Sequence, residues 1–457
     1  MDFEFQNIGK FGRASVSLDG LTVLAGENST GKSTVEKAVA LYVSSLYNLS
    51  DFIQSERKST ALASLRKYGM ELDTILKNLS QSKRRHHVSD TERLQKEYAA
   101  KIAEEAPEEW EALIREYVRG HADYYPVALD MLWDDRQYQN WEKELLQQLH
   151  DDADMDDDAI GTANVSMFVR QFFSGQIIRI GSEEDVSEIR CREQEHENVM
   201  QFQRIAKSAR DICQTLNIEI PVSAPCVYID SPCCFDVIHG ATSREDLPKL
   251  LRFLLSPGTM GGFSRKDMWN AFHTEADKTV IQQENEDQLV QKFYQMLQDV
   301  VGGHLELTSA NRIQFIENGS SRAIEMDNVS TGIKSLSVME YALENGCITE
   351  NSIVILDEPE INLHPDWQLK YAEILIRMLK EMNLKLLITT HSPYFLDALE
   401  VYSAKYKIAD KCRYYLTRNE DSISSIQEIT DNIEAAYQYL AEPFQQLENT
   451  KYDISRS

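Results

Sequence analysis

The sequence lacks a long apolar segment, a cationic leader and a framework of paired cysteines. No stretch approaches the roughly 18 uninterrupted apolar residues of a membrane-spanning helix. The start, Met1-Asp2-Phe3-Glu4-Phe5, has no cationic stretch followed by an apolar core, as a secretory signal would have. We therefore expect a soluble, cytoplasmic protein that is not exported.

The cysteines and the charges exclude further classes. The 7 cysteines are odd in number and lack the paired spacing of zinc ligands, which argues against a disulfide framework or a metal knuckle. Acidic residues number 74 against 47 basic ones, giving a formal net charge of −27. A surface of this sign disfavours nonspecific binding to nucleic acid or anionic membranes, so contact with DNA requires a local basic patch.

The pattern of apolar residues predicts an α/β protein with a large, mainly helical insertion. Residues 1–49 contain short apolar runs, then the buried-type strand Leu21-Thr22-Val23-Leu24-Ala25, then a helix from Ser33 to about Leu49. Residues 50–215 are mostly helical in pattern, and strands return in residues 216–457. The length allows two to three structural units. Because the motifs described below fall in the first and last of these segments, we expect those two segments to form one body.

Two charged runs interrupt the helical segment. The basic run Lys83-Arg84-Arg85-His86-His87 and the acidic run from Asp151 to Asp158 are both typical of solvated loops or helix ends. The basic run is the candidate for a nucleic-acid contact. The acidic run lacks the glycine turn and the spaced ligands of an EF-hand, so calcium binding is not favoured.

The most specific motif is Gly26-Glu27-Asn28-Ser29-Thr30-Gly31-Lys32-Ser33-Thr34, which fits G-x-x-x-x-G-K-[ST]. It lies between an apolar strand and a helix, as the pattern requires. Backbone N–H groups of such a loop and the helix N-terminus bind phosphate oxygens. Lys32 would contact the β- and γ-phosphates of ATP, and the Ser33 hydroxyl would be a ligand of Mg²⁺.

A second apolar strand, Ser352-Ile353-Val354-Ile355-Leu356, delivers the adjacent carboxylates of Asp357 and Glu358. Side chains alternate along a strand, so the two carboxylates can serve different partners. Asp357 would hold Mg²⁺, directly or through water, and Glu358 would polarise the attacking water. The motif is moderately specific alone and becomes strong after a phosphate loop in the same chain.

Two further segments have plain structural alternatives. A third buried-type strand, Leu386 to Thr390, is followed by His391. This histidine would contact the γ-phosphate, or it would be an ordinary hydrogen-bonded core or loop residue. The segment Ser330-Thr331-Gly332-Ile333-Lys334 opens a helix. Its N-terminus can bind an anion, although Ser330 also suits a simple helix cap.

Taken in order, these pieces resemble the ABC ATPase superfamily, and the run Leu356-Asp357-Glu358-Pro359-Glu360-Ile361-Asn362-Leu363-His364-Pro365 resembles its OLD-like and SMC-like prokaryotic AAA-type branch. The resemblance covers residues 1–45 and 325–400. It implies a head-to-head homodimer in which Ser330 and Gly332 of one copy close over ATP held by residues 26–33 of the other. It also suggests Phe11 as the aromatic side chain that stacks on adenine, whereas the Q-loop glutamine cannot be placed.

The resemblance extends to ATPase subunits of antiphage defence systems such as Septu PtuA and PARIS. It implies a sensor or switch ATPase that controls a separate effector, a nuclease or a toxin, and that has no nuclease activity of its own, because residues after 400 show no clustered Asp-x-Asp metal site. The alternative is an SMC-like ATPase that clamps or repairs DNA. A transporter subunit is disfavoured, since the segment that would be the ABC signature by this resemblance, Ser330-Thr331-Gly332-Ile333-Lys334, departs from the LSGGQ of transporter subunits.

Overall fold

The structure is a computed structural model and describes residues 1–80, 88–122, 125, 129–153, 155–205, 210–230, 280–307, 313–320, 322–344, 346–420 and 423–456. The basic run at 83–87 lies outside the described residues. The strands are β1 (Asp2–Ile8), β2 (Phe11–Ser17), β3 (Leu21–Gly26), β4 (Val186–Glu193), β5 (His196–Ile205), β6 (Arg210–Asn217), β7 (Cys226–Ile229), β8 (Gly303–Leu307), β9 (Ile313–Glu317), β10 (Ala323–Glu325), β11 (Ile353–Asp357), β12 (Lys385–Thr390), β13 (Cys412–Glu420) and β14 (Ile423–Glu428).

The described residues also form α-helices, which lie between strands or groups of strands along the chain. The predicted α/β class is therefore confirmed. They are α1 (Lys32–Leu46), α2 (Leu49–Leu79), α3 (Val88–Glu104), α4 (Trp110–Ala122), α5 (Leu129–Trp133), α6 (Arg136–Ala153), α7 (Asp157–Phe173), α8 (Val280–Val301), α9 (Thr331–Glu344), α10 (Pro365–Glu381), α11 (Pro393–Lys405) and α12 (Glu434–Arg456). In the described part of the chain, no helix combines the length and the apolar character needed to cross a bilayer.

The chain divides into two compact units. The first comprises residues 1–47 and 162–457 and contains an 11-stranded sheet in the order β6-β5-β4-β1-β2-β14-β13-β3-β12-β11-β7. Strands β13, β3, β12, β11 and β7 run parallel to one another, and β1, β2, β4, β5 and β6 pair antiparallel. In parallel strands the carboxyl ends meet at one edge, which is where open α/β sheets bind ligands.

The central parallel strands are apolar because both of their faces are covered. Every residue of β3 is buried, as are the residues of β12 after Lys385. Buried side chains of α9, α10 and α11 join these strands in one apolar core, whose members include Leu336, Leu375 and Phe395. Parallel strands that are buried on both faces have continuous apolar runs in their sequence. The positions of these strands could therefore be predicted from the sequence.

The second unit comprises residues 48–161 and is helical. In α4 the buried residues Trp110, Ile114, Tyr117, Val118 and His121 recur at helical spacing and form one apolar stripe. The unit has its own core, in which the indole of Trp141 donates a 2.8 Å hydrogen bond to the Tyr68 carbonyl.

The helical unit is shorter than the predicted range of residues 50–215, because strands β4, β5 and β6 occupy residues 186–217 and belong to the large sheet. In β4 the side chains of Ser187, Ile189 and Cys191 are buried, and the residues between them are polar or charged. Arg190, for example, forms a 2.7 Å ion pair with Glu188. This alternation of buried and charged residues indicates a half-buried strand, whereas the charged composition alone favours a helix.

Candidate functional site

The predicted phosphate loop connects β3 to α1. Gly31 is the residue before the helix and has φ 92°, and a Cβ placed there would lie 2.7 Å from the Phe11 ring. Only glycine tolerates both this backbone conformation and this contact. The loop therefore stands at the carboxyl edge of the parallel strands, with the N-terminus of α1 directed at it.

Lys32 lies at the centre of the site. Its ammonium donates 2.9 Å hydrogen bonds to the carbonyl oxygens of Gly26 and Glu27, and its Nζ is 3.4 Å from Oε1 of Glu358. The side chain is 5% exposed. The phosphate loop and the strand that ends in Asp-Glu are thus joined by one buried cation.

Asp357 joins the other predicted residues. The Ser33 hydroxyl donates to its Oδ2 at 3.0 Å, and the Thr389 hydroxyl donates to its Oδ1 at 2.8 Å. A hydroxyl and a carboxylate are the ligands that Mg²⁺ takes when phosphate oxygens and water complete its octahedron. In the described ranges no group of three or more His, Cys, Asp or Glu residues could hold a metal by itself. The residues therefore fit a magnesium ion that arrives with a phosphorylated ligand.

Glu358 and His391 meet at the same edge. Nδ1 of His391 is 3.2 Å from Oε2 of Glu358, and the Glu358 N–H donates to the Thr389 hydroxyl at 3.1 Å. Glu358 has φ 46°, a left-handed conformation that non-glycine residues rarely adopt. Such strain is common at functional sites, and here it accompanies a side chain that faces both Lys32 and His391.

Lys32, Ser33, Asp357 and Glu358, but not His391, are among the residues that line a cleft of about 520 Å³. Its lining residues are Lys10, Asn28, Ser29, Gly31, Lys32, Ser33, Thr34, Asp230, Asp357, Glu358, Ile361 and Asn362. Of the remaining predicted loop residues, Gly26 and Glu27 contribute the carbonyls that bind Lys32, and the Thr30 hydroxyl contacts Thr417 Oγ1 at 2.6 Å. Thr30 therefore supports the loop from behind.

Of the other lining residues, Ile361 and Asn362 belong to the run 356–365 that carries the family resemblance, whereas sequence reasoning missed Lys10 and Asp230. The ammonium of Lys10 donates a 2.5 Å hydrogen bond to the Ser29 carbonyl. Asp230 follows β7, whose Ile229 is opposite Leu356 of the parallel strand β11, so Asp230 stands beside Asp357. The signal for Asp230 was present, since an acidic residue directly after a buried strand is the pattern that identified Asp357.

A third missed group is the carboxyl of Glu36, one turn into α1. It is fully buried, and neither of its oxygens has a hydrogen-bond partner in the described part of the chain. Burial raises the pKa of Glu36 well above its ordinary value, and the negative charge of Asp357 raises it further. A buried carboxyl with a raised pKa therefore lies close to Asp357, one of the predicted magnesium ligands.

Ser330 and Gly332 stand apart from the cleft lining of their own chain. Ser330 Oγ accepts a 3.4 Å hydrogen bond from the Ile333 N–H and so caps α9. A helix cap is one of the two roles predicted for this residue. A Cβ on Gly332 would lie 2.8 Å from the Asn362 carbonyl oxygen, so α9 packs closely on the segment after β11. Their contact with a nucleotide stays a prediction.

Phe11 is not available to stack on a base. Its ring is fully buried and lies under Gly31. The suggestion that it contacts adenine is therefore wrong, and its physical role is to support the phosphate loop.

A phosphate loop at the carboxyl edge of parallel strands, beside one strand ending in Asp-Glu and another followed by His, defines the class of P-loop ATPases. Comparison with protein families agrees, since residues 264–396 match the family described as AAA ATPase domain. The matched segment contains the signature region, Asp357, Glu358 and His391. The search of curated proteins gives no match.

Solved structures similar to the chain include three SMC heads. The SMC head bound to the C-winged helix domain of ScpA is 11% identical, with 93% of this chain and 96% of that one covered and a TM-score of 0.42. The SMC head domain of Thermotoga maritima is 11% identical, with coverage of 94% and 98% and a TM-score of 0.33. The Smc head with an extended coiled coil, bound to the C-terminal domain of ScpA from Pyrococcus furiosus, is 11% identical, with coverage of 96% and 98% and a TM-score of 0.40. Similarity at this level leaves the function open.

Proposed function

We propose that this protein binds ATP with Mg²⁺ in the cleft and hydrolyses it to ADP and phosphate. The observation that supports the proposal is the convergence of Lys32, Ser33, Asp357, Glu358 and His391, which come from three separate parts of the sequence. Magnesium bound with the nucleotide would supply positive charge against the negatively charged phosphates. Ser33 and Asp357 would hold it.

The contact between Lys32 and Glu358 suggests how binding prepares catalysis. A triphosphate offers the Lys32 ammonium a more highly charged partner than one carboxylate does. When Lys32 turns to the β- and γ-phosphates, Glu358 loses its cation and becomes free to accept the proton of an attacking water. His391, which is 3.2 Å from Glu358 and 43% exposed, then holds the carboxylate in place and can donate to a γ-phosphate oxygen.

Steady-state phosphate release and ATP binding test this proposal. Lys32→Ala should abolish measurable ATP binding. Glu358→Gln should bind ATP as the wild type does but hydrolyse it at least about a hundredfold more slowly, the usual contribution of a general base. The matched control is Glu373→Gln, a carboxylate on α10 that pairs with Lys405 away from the cleft. Normal turnover by Glu358→Gln would remove Glu358 from the reaction.

The ATPase is proposed to act as a head-to-head homodimer. Ser330 is exposed at the N-terminus of α9 and lies outside the cleft lining of its own chain, as a residue that serves a second copy would. Mixing two inactive variants tests this. Lys32→Ala keeps its signature segment and Ser330→Arg keeps its phosphate loop, so a mixed dimer contains one intact composite site and should regain hydrolysis. If mixing restores nothing while each variant is folded, the two-copy site is refuted.

At the level of the cell we propose a switch subunit of a prokaryotic antiphage system that controls a separate nuclease or toxin effector. The support is the resemblance carried by residues 356–365 and the ATPase class of the site. A host carrying the native gene cluster should resist phage with the wild-type chain and lose resistance with Lys32→Ala. Equal resistance with both chains would refute this role.

The alternative function is an SMC-like ATPase that clamps DNA. Its candidate contact, the basic run at 83–87, lies outside the described residues. Salt-dependent DNA binding that weakens when Lys83, Arg84 and Arg85 are neutralised would favour it. Binding of the same strength in wild type and variant would count against it.

A further inference from the structure

A second glutamate behind the cleft has no part in the chemistry proposed above. Glu360 comes two residues after Glu358, yet it is 2% exposed. Its Oε1 accepts a short hydrogen bond from the hydroxyl of Thr390, which is fully buried. Its Oε2 has no hydrogen-bond partner among the described residues. The carboxyl is therefore held inside the protein by one hydroxyl group.

Thr390 is the last residue of β12 and directly precedes His391. Its Oγ1 also accepts the Ser392 N–H at 3.0 Å, so the hydroxyl binds the chain on the far side of His391. The backbone around Glu360 is fixed as well. The Leu363 N–H donates to the Glu360 carbonyl at 3.1 Å, and the Ile361 N–H donates to the Glu358 carbonyl at 3.1 Å.

The hydrogen bond between Glu360 and Thr390 thus ties together the segments that follow β11 and β12. These two strands are adjacent and parallel, with Asp357 opposite Thr389. Glu358 comes one residue after Asp357 and His391 comes one residue after Thr390. The hydrogen bond between Glu360 and Thr390 therefore links the two segments that carry Glu358 and His391.

We propose that Glu360 is a positioning residue, which acts through Thr390 to hold His391 against Glu358. The inference rests on the proposed ATP hydrolysis. Burial raises the pKa of Glu360 to about 7, and the Thr390 hydroxyl and the neighbouring His391 act in the opposite direction. A buried carboxyl with one partner is costly, and loss of that partner leaves a desolvated oxygen with none. Breaking the hydrogen bond between Glu360 and Thr390 is therefore unfavourable.

The test compares kcat with the dissociation constant for ATP. Glu360→Ala and Thr390→Val should lower kcat at least about tenfold, because reacting groups lose their geometry, while ATP affinity changes less than about twofold. Thr390→Ser keeps the hydroxyl and Glu360→Gln keeps an acceptor, so both should retain activity. The control is Glu340→Gln, because Glu340 is another buried carboxyl whose pKa is raised to about 7 and it lies outside the cleft lining.

A double-mutant cycle separates positioning from general damage to the fold. In a His391→Ala background, Glu360→Ala should cause no further loss of kcat, because the residue through which it acts is gone. An equal loss in both backgrounds, or a fall in ATP affinity that matches the fall in kcat, would overturn the inference. Thr390→Val nearly conserves volume and keeps the test available if Glu360→Ala does not fold. Wild-type turnover in Glu358→Gln would instead refute the proposed function.

Discussion

Replacement of Glu340 by glutamine should make the protein more stable at neutral and alkaline pH. Glu340 lies in α9, is fully buried and has one carboxyl oxygen without a hydrogen-bond partner among the described residues. Its pKa is raised to about 7, mainly by burial and also by the charge of Glu344, whereas hydrogen bonds from Gln298 and Tyr294 act in the opposite direction. Glutamine keeps the shape and loses the ionisation.

The direction in which Glu340 changes the free energy of unfolding with pH follows from proton binding. Between the ordinary pKa of 4.5 and the folded value of about 7, the native state holds a proton that the unfolded state has released. The free energy of unfolding therefore falls as the pH rises through this range and levels off above it. A shift from 4.5 to about 7 corresponds to about 3 kcal/mol at 1.36 kcal/mol per pKa unit.

Urea unfolding followed by circular dichroism at pH 5, 6, 7 and 8 measures this effect. The free energy of unfolding of Glu340→Gln minus that of the wild type should increase across the series. At pH 8 this difference should be about 3 kcal/mol larger than at a pH low enough for Glu340 to be protonated in both the folded and the unfolded wild type. Glu434→Gln, at an exposed position, is the control and should give a difference that does not change with pH. Parallel stability curves for Glu340→Gln and wild type would refute the reasoning.

Three other substitutions probe the site and the helical unit. Ser33→Ala removes a proposed magnesium ligand and should raise the Mg²⁺ concentration needed for half-maximal ATPase activity, as a magnesium titration would show; an unchanged midpoint would exclude Ser33 as a ligand. Gly31→Ala places a methyl group 2.7 Å from the Phe11 ring and should lower both the melting temperature and ATP affinity. Trp141→Ala should destabilise the helical unit by about 3–5 kcal/mol, which denaturation monitored by circular dichroism can measure.

The parts of the site that the sequence predicted share one physical property. Strands β3, β11 and β12 are buried on both faces, so each reads as an unbroken apolar run with its polar residues at the carboxyl end. Once these runs are parallel neighbours, their ends must meet. The proximity of Lys32, Asp357 and His391 follows from that pattern together with the phosphate loop.

What the sequence did not show depends on tertiary contacts. Strand β4 has charged residues on one face, and its pairing with β1 over a long sequence separation could not be inferred from composition. The buried ring of Phe11 and the buried carboxyls of Glu36 and Glu360 have no local sequence signal, because burial of one side chain is decided by elements that pack on it from elsewhere. Lys10 likewise enters the cleft through a contact with the phosphate loop.

The position of β3 constrains when the nucleotide site can form during synthesis. Its two neighbours in the sheet, β12 and β13, begin at Lys385 and Cys412, whereas β3 itself ends at Gly26. Pairing between such distant segments carries a large loop-closure cost and is slow. A ribosome-bound chain that has reached α10 has translated the phosphate loop but neither strand that flanks it, so such nascent chains should not retain ATP.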